Sequence, residues 1–166
     1  MAKSKIVCLD NNITAFALRD DAHPDDADKV LRARALLRYL DEQEKIILLP
    51  TPVITECLWP VEVHAREPVL NVINKFMIGA FNLAASVKCA EMMHAITPAE
   101  KEFKEDNGIT KAHMKFDYMI AAIAIINEAE CIYSEDEGLK TFCDGHIDVR
   151  SIPPELPEQG TLFSDK

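Results

Sequence analysis

The sequence predicts an α/β fold with three layers, α/β/α, in which a mainly parallel sheet of about four to five strands lies between two layers of helices. Two observations support this prediction. Short apolar runs alternate with helical patterns along the chain, and the segment MIAAIAII is apolar on every side. A helix without a polar face has to be buried against other elements. Strands that alternate with such helices form parallel sheets covered on both faces.

The first two strands and the first long helix are predicted from the pattern of apolar residues. Residues 5–9 form a β-branched and apolar run that ends in Asp10, which is typical of a buried parallel strand. Residues 45–50 predict a second strand of the same kind. Between the two, apolar residues recur at spacings of three and four, which predicts a helix capped by Asp25 or Asp26.

The middle of the chain is predicted less directly. Pro52 fits the first turn of a short helix that contains Glu56 and that Pro60 ends or kinks. Residues 67–80 keep helical spacing and predict another helix. The segment SVKCAEM, residues 86–92, predicts a third strand.

The last part of the chain returns to a clear alternation. Thr97 and Glu100 form a capping pattern at the start of a short helix. Residues 111–129 contain the all-apolar segment and predict a buried helix. Residues 131–134 and 147–150 predict two further strands, with a turn and a short helix between them.

Length and composition indicate a single compact domain. The chain has 166 residues, of which 48% are hydrophobic, and a chain of this size buries roughly two-thirds of its unfolded surface. We expect one domain over residues 1–150. Residues 151–166 contain three prolines and little periodicity, so they are expected to form a proline-rich tail.

The charge balance argues against one class of nucleic-acid-binding protein. The chain carries 18 Lys and Arg against 28 Asp and Glu, for a formal net charge of -10. A protein that coats nucleic acid through bulk attraction to phosphate needs a net basic surface. An acidic pocket can still meet phosphate through a bound cation, which inverts the local electrostatics.

The cysteines and the apolar runs predict a cytoplasmic protein without a membrane segment. The five cysteines are odd in number and scattered, with no CxxC pair, which is typical of reduced thiols. No secretory leader is recognised at the start of the sequence. The longest uninterrupted apolar stretch, residues 118–126, is about half of the roughly 20 residues that cross a bilayer.

Acidic residues stand where strands end or where the buried helix begins. Asp10 follows the first strand directly, and Asp136 follows the strand CIYS by one residue. Glu56 comes after the exit of the second strand, and Asp117 lies at the entrance of the buried helix. Because the carboxyl ends of parallel strands meet at one edge of a sheet, these four acids are expected to converge there.

A cluster of carboxylates at one edge predicts a cation. Neighbouring carboxylates repel each other and burial raises their pKa, so they take up protons or bind a positive ion. Sites built from oxygen ligands favour Mg²⁺ or Mn²⁺. Such a site suits hydrolysis of phosphodiester bonds.

The segments IVCLDNN, PTPVITEC, KFDYMIAAIAI and CIYSED, in this order and spacing, resemble the PIN-domain nucleases, and most closely the VapC-type toxins of type II toxin-antitoxin systems. The resemblance spans about residues 5–142 and implies a PIN-like fold. It implies that Asn12 and Ser134 are polar groups that orient ligands and water beside the acids. It also implies a quartet of acids that are both catalytic and ligands of Mg²⁺ or Mn²⁺: Asp10, Glu56, Asp117 and Asp136.

The same resemblance implies a function and partners. The activity is a metal-dependent endoribonuclease that cleaves single-stranded or structured RNA and leaves a 5′-phosphate and a 3′-hydroxyl. The protein is then a toxin, neutralised by a small antitoxin protein, and a homodimer. Val69, Ile73 and Phe76 form an apolar row that is either a dimer contact or part of the core.

Three of the four acids also have a plain structural interpretation. Asp10 and Asp136 are suited to cap the helices that follow them, and Glu56 to a solvated helix face. Glu135 and Glu137 compete with Asp136 as the acid of the turn. The histidines show no paired metal-binding spacing, and none is assigned to the site.

Two alternative functions stay open. A phosphatase of the haloacid-dehalogenase type also begins with a strand and an acid, but Asn12 stands where that family has its second acid. The other alternative is a PIN-like domain that binds RNA or a protein without cutting.

Overall fold

The computed structural model describes residues 5–18 and 23–154. Its strands are β1 (Ile6–Leu9), β2 (Ile46–Pro50), β3 (Met77–Gly79), β4 (Ile132–Tyr133) and β5 (Val149–Arg150). The α-helices in the described ranges are α1 (Asn11–Leu18), α2 (Ala27–Glu42), α3 (Thr51–Leu58), α4 (Arg66–Ile73), α5 (Leu83–His94), α6 (Pro98–Asp106), α7 (Lys111–Ile126) and α8 (Glu137–Cys143). Residues 155–166, most of the predicted tail, lie outside the described residues.

The five strands form one parallel sheet in the order β3-β2-β1-β4-β5. In the central strand, Cys8 pairs with Leu48 of β2 on one side and with Ile132 of β4 on the other. Along the sequence, β2 and β3 are added on one side of β1, and β4 and β5 are then added on its other side. This reversal opens a crevice at the carboxyl ends of β1 and β4, where open α/β sheets bind ligands.

Two apolar cores cover the two faces of the sheet. Cys8, Leu48 and Ile132 point to one face and pack with side chains of α5, α7 and α8. Their strand neighbours point to the opposite face and pack with α1 and α2. Successive side chains of a strand alternate between faces, so each strand contributes to both cores. The predicted three-layer architecture is therefore confirmed.

Two predictions for the middle of the chain are wrong. The helix predicted over residues 67–80 ends at Ile73, and Met77–Gly79 forms β3 against β2. The residues predicted as a third strand, 86–92, lie inside α5. That helix starts where Asn82 accepts a hydrogen bond from the backbone of Ala85 (3.0 Å). A strand of three residues is too short to show the alternation on which a sequence prediction depends.

The apolar row in and after α4 belongs to the core. Ile73 is 2% exposed, and Val69 and Phe76 pack against the same core as β1. Helix α1 is not predicted, although it begins directly after Asp10 and buries Ile13. The buried helix predicted over residues 111–129 is confirmed as α7.

A glycine lets α7 pack closely on the sheet. A Cβ atom at Gly79 of β3 would overlap the Cγ2 methyl group of Ile123 in α7 and lie 3.0 Å from Cδ1 of Leu48. Any other residue at this position has to displace the helix or its side chains. Gly79 therefore permits the short distance between α7 and the sheet, and α7 in turn carries Asp117.

The remaining expectations concern cysteines and membranes. All five cysteines are buried. Among the described residues, no helix has both the length and the apolar character that a membrane crossing needs.

Candidate functional site

The four predicted acids line one cleft of about 150 Å³. Each comes from a different part of the fold: Asp10 from the end of β1, Glu56 from α3, Asp117 from α7 and Asp136 from the residue before α8. The described lining is completed by Asn11, Asn12, His113, Phe116 and Ile120. The structure thus brings the four acids together at the crevice between β1 and β4, while their chemical roles stay a prediction.

Asp10 is held by two hydrogen bonds at the tip of β1. Its Oδ1 accepts from the backbone N–H of Asn11 (2.6 Å), and its Oδ2 accepts from the hydroxyl of Ser134 (2.7 Å). Burial raises the pKa of Asp10, the two hydrogen bonds oppose this, and the charge of Asp136 adds to it. The side chain is therefore fixed in direction before any ligand arrives.

Ser134 connects the ends of β1 and β4. Besides donating to Asp10, its hydroxyl oxygen accepts from Nδ2 of Asn12 (3.2 Å) and from the backbone N–H of Asp136 (3.0 Å). These bonds use the one donor and both acceptor sites of a hydroxyl group. Oδ1 of Asn12 in turn accepts from the backbone of Glu135 (3.3 Å). Both predicted polar residues thus hold the acids in position.

Asp117 is the most unusual acid of the cleft. It is 6% exposed, and its Oδ2 is buried without a hydrogen-bond partner. Burial raises its pKa to about 8, and the charges of Asp136, Asp10 and Glu56 contribute in that order. A buried and unpartnered carboxylate oxygen is costly, so it indicates that a proton or a cation is part of the site.

Asp136 uses its two carboxylate oxygens differently. Oδ1 caps α8 by accepting from the backbone N–H groups of Gly138 (2.6 Å) and Leu139 (3.1 Å). Oδ2 lies 3.7 Å from Nε2 of His113, at the cleft. The predicted cap is therefore present through one oxygen, and the other oxygen lies at the cleft, where the predicted site role of Asp136 stays a prediction.

The acids next to Asp136 face elsewhere. Oε1 of Glu135 accepts from the backbone N–H of Ile152 (2.8 Å), and Glu137 pairs with Lys140 (2.7 Å). Neither belongs to the described lining of the cleft. Of the three acids in this turn, Asp136 alone reaches the cleft.

The cap gives a prediction for two substitutions at Asp136. Asp136→Asn and Asp136→Ala both remove the charge, so the cap is measured by comparing the two variants with each other. Asn caps helices about as well as Asp, whereas Ala does not cap, so Asp136→Ala should be less stable than Asp136→Asn by about 1 kcal/mol. Urea unfolding of the two variants measures this difference, and equal stability of both would show that the cap contributes nothing.

Glu56 lies at the open side of the cleft. Glu56 is exposed, as expected for an acid on the solvated face of a helix. Partial burial nevertheless raises its pKa, with the charge of Asp10 as the next cause. Glu56 is therefore a solvent-facing acid that still interacts with the other three.

His113 is an ionisable side chain of the described cleft lining that the sequence pattern does not assign to the site. Its Nε2 lies 3.7 Å from Oδ2 of Asp117 and 3.7 Å from Oδ2 of Asp136. The signal for it is local: His113 and Asp117 are four residues apart on α7, and residues at this spacing face the same side of a helix.

The donor atoms suit a divalent cation. Carboxylate oxygens are the ligands that Mg²⁺ and Mn²⁺ prefer, and the unpartnered oxygen of Asp117 is available to one. In the described part of the chain, no three His, Cys, Asp or Glu side chains are gathered tightly enough to hold a metal on their own. Mg²⁺ typically takes only one or two protein carboxylates and keeps several waters, so a magnesium site does not need three protein ligands.

Comparison with known proteins identifies the architecture. No family model and no curated protein matches the sequence. The structure is similar to a solved structure described as VapBC2 from Rickettsia felis bound to a DNA fragment from their promoter, with a TM-score of 0.52 and 18% sequence identity. The match covers 88% of this chain and 98% of the other. The fold is PIN-like. In this PIN-like fold the cleft lies at the carboxyl ends of β1 and β4, where the strand order reverses.

Proposed function

We propose that the chain is a divalent-metal-dependent endoribonuclease of the VapC type. The observation that carries the proposal is the unpartnered oxygen of Asp117, buried in a cleft with three further acids. Such an arrangement stores electrostatic repulsion that a cation relieves. Burial of this kind at a sheet crevice is typical of functional sites.

The residues of the cleft have separate tasks in this proposal. Ser134 orients Asp10, the helix cap orients Asp136, and burial in α7 fixes Asp117. Glu56, at the solvent side, is placed to accept a hydrogen bond from water. When bound, the cation supplies a Lewis acid that lowers the pKa of water and neutralises charge on the phosphate.

RNA is the proposed substrate in spite of the net charge of -10. Lys111 and Lys115 are exposed on the first turns of α7, the helix that carries His113 and Asp117. Cations at this place are suited to contact the phosphates of a bound RNA. These local basic residues and a bound cation would attract the phosphates, so the protein would not need a surface that is basic as a whole.

We also propose a small antitoxin and a second copy of the chain as partners. The similar solved structure is described as a VapBC assembly, which supports an antitoxin. Trp59, Leu83 and Val87 are large apolar side chains that are more than half exposed, which supports a homodimer. The mass of the purified chain in solution tests the homodimer.

The test of the proposed activity is RNA cleavage with and without metal. Purified protein should cut single-stranded RNA with Mg²⁺ or Mn²⁺, leave 5′-phosphate ends, and stop when a chelator is added. The matched variants are Asp136→Asn, which should slow cleavage by about 10²-fold or more, and Glu137→Gln, which should not change it. Cleavage that continues in chelator, or that is equal in both variants, would contradict the proposal.

The alternatives predict other results. In the described lining of the cleft there is no lysine, and Asn12 is engaged with Ser134 and Glu135, which disfavours a haloacid-dehalogenase-type phosphatase. Release of phosphate from small phosphoesters would favour it. Binding of RNA with no cleavage under any metal would favour a non-catalytic PIN-like domain.

A further inference from the structure

A second cavity, which we call the side pocket, lies next to the acidic cleft and between α1 and α2. Its volume is about 340 Å³, which is within the range of cavities that bind small organic groups. Asn12 belongs to the described lining of both cavities. The side chain of Asn12 is held by Ser134 and by the backbone of Glu135, so it forms a fixed wall that the two cavities share. A polymer bound in the cleft can therefore place its neighbouring unit in the side pocket.

The side pocket is lined mainly by apolar groups, and one of them is aromatic. Ile13, Phe16, Ala33 and Ile152 contribute the apolar surface. Phe16 is half-buried, and Nζ of Lys29 lies over its ring at 5.5 Å from the centre. The side chain of Lys29 is 62% exposed, so it can move aside for a flat group that stacks on the ring. Exposed aromatic rings bind the bases of single-stranded RNA in this way.

Two cations of α2 accompany the apolar lining. Lys29 pairs with Asp26 (2.7 Å), but the side chain of Lys29 is exposed, and exposed ion pairs contribute little stability. Arg32 donates a hydrogen bond to the carbonyl oxygen of Ile152 (3.3 Å). The acid in the described lining is Glu135, whose Oε1 accepts from the backbone N–H of Ile152 and lies 4.0 Å from Arg32. Two positive charges against one negative charge suit a phosphate group beside an apolar ring.

We propose that the side pocket binds one base of the RNA substrate on Phe16, while Lys29 and Arg32 contact the phosphate of the same nucleotide. The inference rests on the RNA substrate of the proposed function. It needs no metal ion, because the contacts come from an aromatic ring and two cations. A protein segment is the competing occupant, and the two cations together with the wall shared at Asn12 favour RNA. A base held here fixes the neighbouring phosphate in the cleft, and such positioning accelerates a reaction.

Binding of short single-stranded RNA in the presence of a chelator tests the base contact without cleavage. Phe16→Leu keeps an apolar side chain and removes the aromatic ring, so it should lower the affinity by about fivefold or more. Leu31→Ala is the control, at an exposed position of α2 outside the described lining, and should leave the affinity unchanged. Fluorescence anisotropy of a labelled RNA measures both variants.

The salt dependence of the same affinity tests the phosphate contact. Lys29→Gln should reduce the slope of log affinity against log salt by about 0.7, the value for one phosphate contact in a single strand. Lys88→Gln is the matched control, because Lys88 also pairs with an acid of its own helix, Glu91 (2.6 Å), and lies outside the described lining. Equal slopes for the two variants would overturn the phosphate contact.

Photocrosslinking of RNA that contains thiouridine locates the base with the wild-type sequence, so it decides the question even if a variant folds poorly. Mass spectrometry should place the crosslink on the peptide that contains Phe16. Crosslinks that map elsewhere, or full affinity in Phe16→Leu, would overturn the proposal, favour a protein segment as the occupant and leave RNA as the substrate. A wild-type protein that binds no RNA, with or without metal, would overturn the proposed function along with it.

Discussion

Replacing Asp117 by Asn should stabilise the metal-free protein at pH 8 by about 2–4 kcal/mol and lower the proposed RNA cleavage by about 10³-fold or more. The stability effect follows from burial, which raises the pKa of this carboxyl group to about 8. Each pKa unit corresponds to about 1.4 kcal/mol. Asn has a similar shape and carries no charge, so it removes the repulsion from Asp136, Asp10 and Glu56.

The sign of the pH dependence follows from proton uptake. In the unfolded chain Asp117 loses its proton near pH 4, whereas in the folded chain it keeps it until about pH 8. Between these values the folded state binds more protons, so the contribution of Asp117 to stability falls as the pH rises and is lowest above pH 8. Asp117→Asn should therefore differ little from the wild type at low pH and most at high pH.

Urea unfolding in the presence of a chelator, at about pH 5 and about pH 9, measures this difference. Glu137→Gln is the control, since it removes an exposed acid that pairs with Lys140. Adding Mn²⁺ at high pH should stabilise the wild type but not Asp117→Asn. If the wild type and Asp117→Asn lose stability in parallel as the pH rises, Asp117 is not the group responsible.

Replacing Gly79 by Val should cost about 3 kcal/mol of folding free energy. The added atoms would overlap the side chain of Ile123 and crowd Leu48, so α7 has to move away from the sheet. Ala80→Val is the matched control at the next, exposed position and should stay within about 0.5 kcal/mol of the wild type.

A double variant separates overlap from any general effect of glycine in a strand. If the cost of Gly79→Val comes from Ile123, then Ile123→Ala makes room for it, and the two changes together should cost less than their sum. Thermal unfolding of the single and double variants gives the comparison. Strict additivity would show that Gly79 is not needed for the close approach of α7.

The fold was predictable where the pattern is long or ends sharply. Helix α7 is sixteen residues long, and its all-apolar segment MIAAIAII is long enough to predict a buried helix. Strand β1 is predicted because its apolar run ends abruptly at Asp10. Strand β3 shows no recognisable pattern of apolar residues, since it has only three residues and follows α4 after a short turn. Its place in the sheet depends on pairing with β2, which is a contact between distant residues and not a local pattern.

The candidate site was predictable as far as topology determines it. Asp10 and Asp136 follow strands that turn out to be neighbours, so the rule for parallel sheets brings them together. His113 could not be assigned in this way, because its relation to Asp136 exists only after α7 and α8 have packed. The triple use of the Ser134 hydroxyl is likewise a product of packing.

The cap formed by Asp136 has a consequence for binding at the cleft. A flexible acidic side chain loses conformational entropy when it binds a ligand, and that loss lowers the affinity of the complex. Here Oδ1 is already tied to the backbone of Gly138 and Leu139, so the torsion angles of the side chain are set when the chain folds. Its other oxygen is thus rigid in advance, and ordering this side chain costs an incoming ligand almost no affinity.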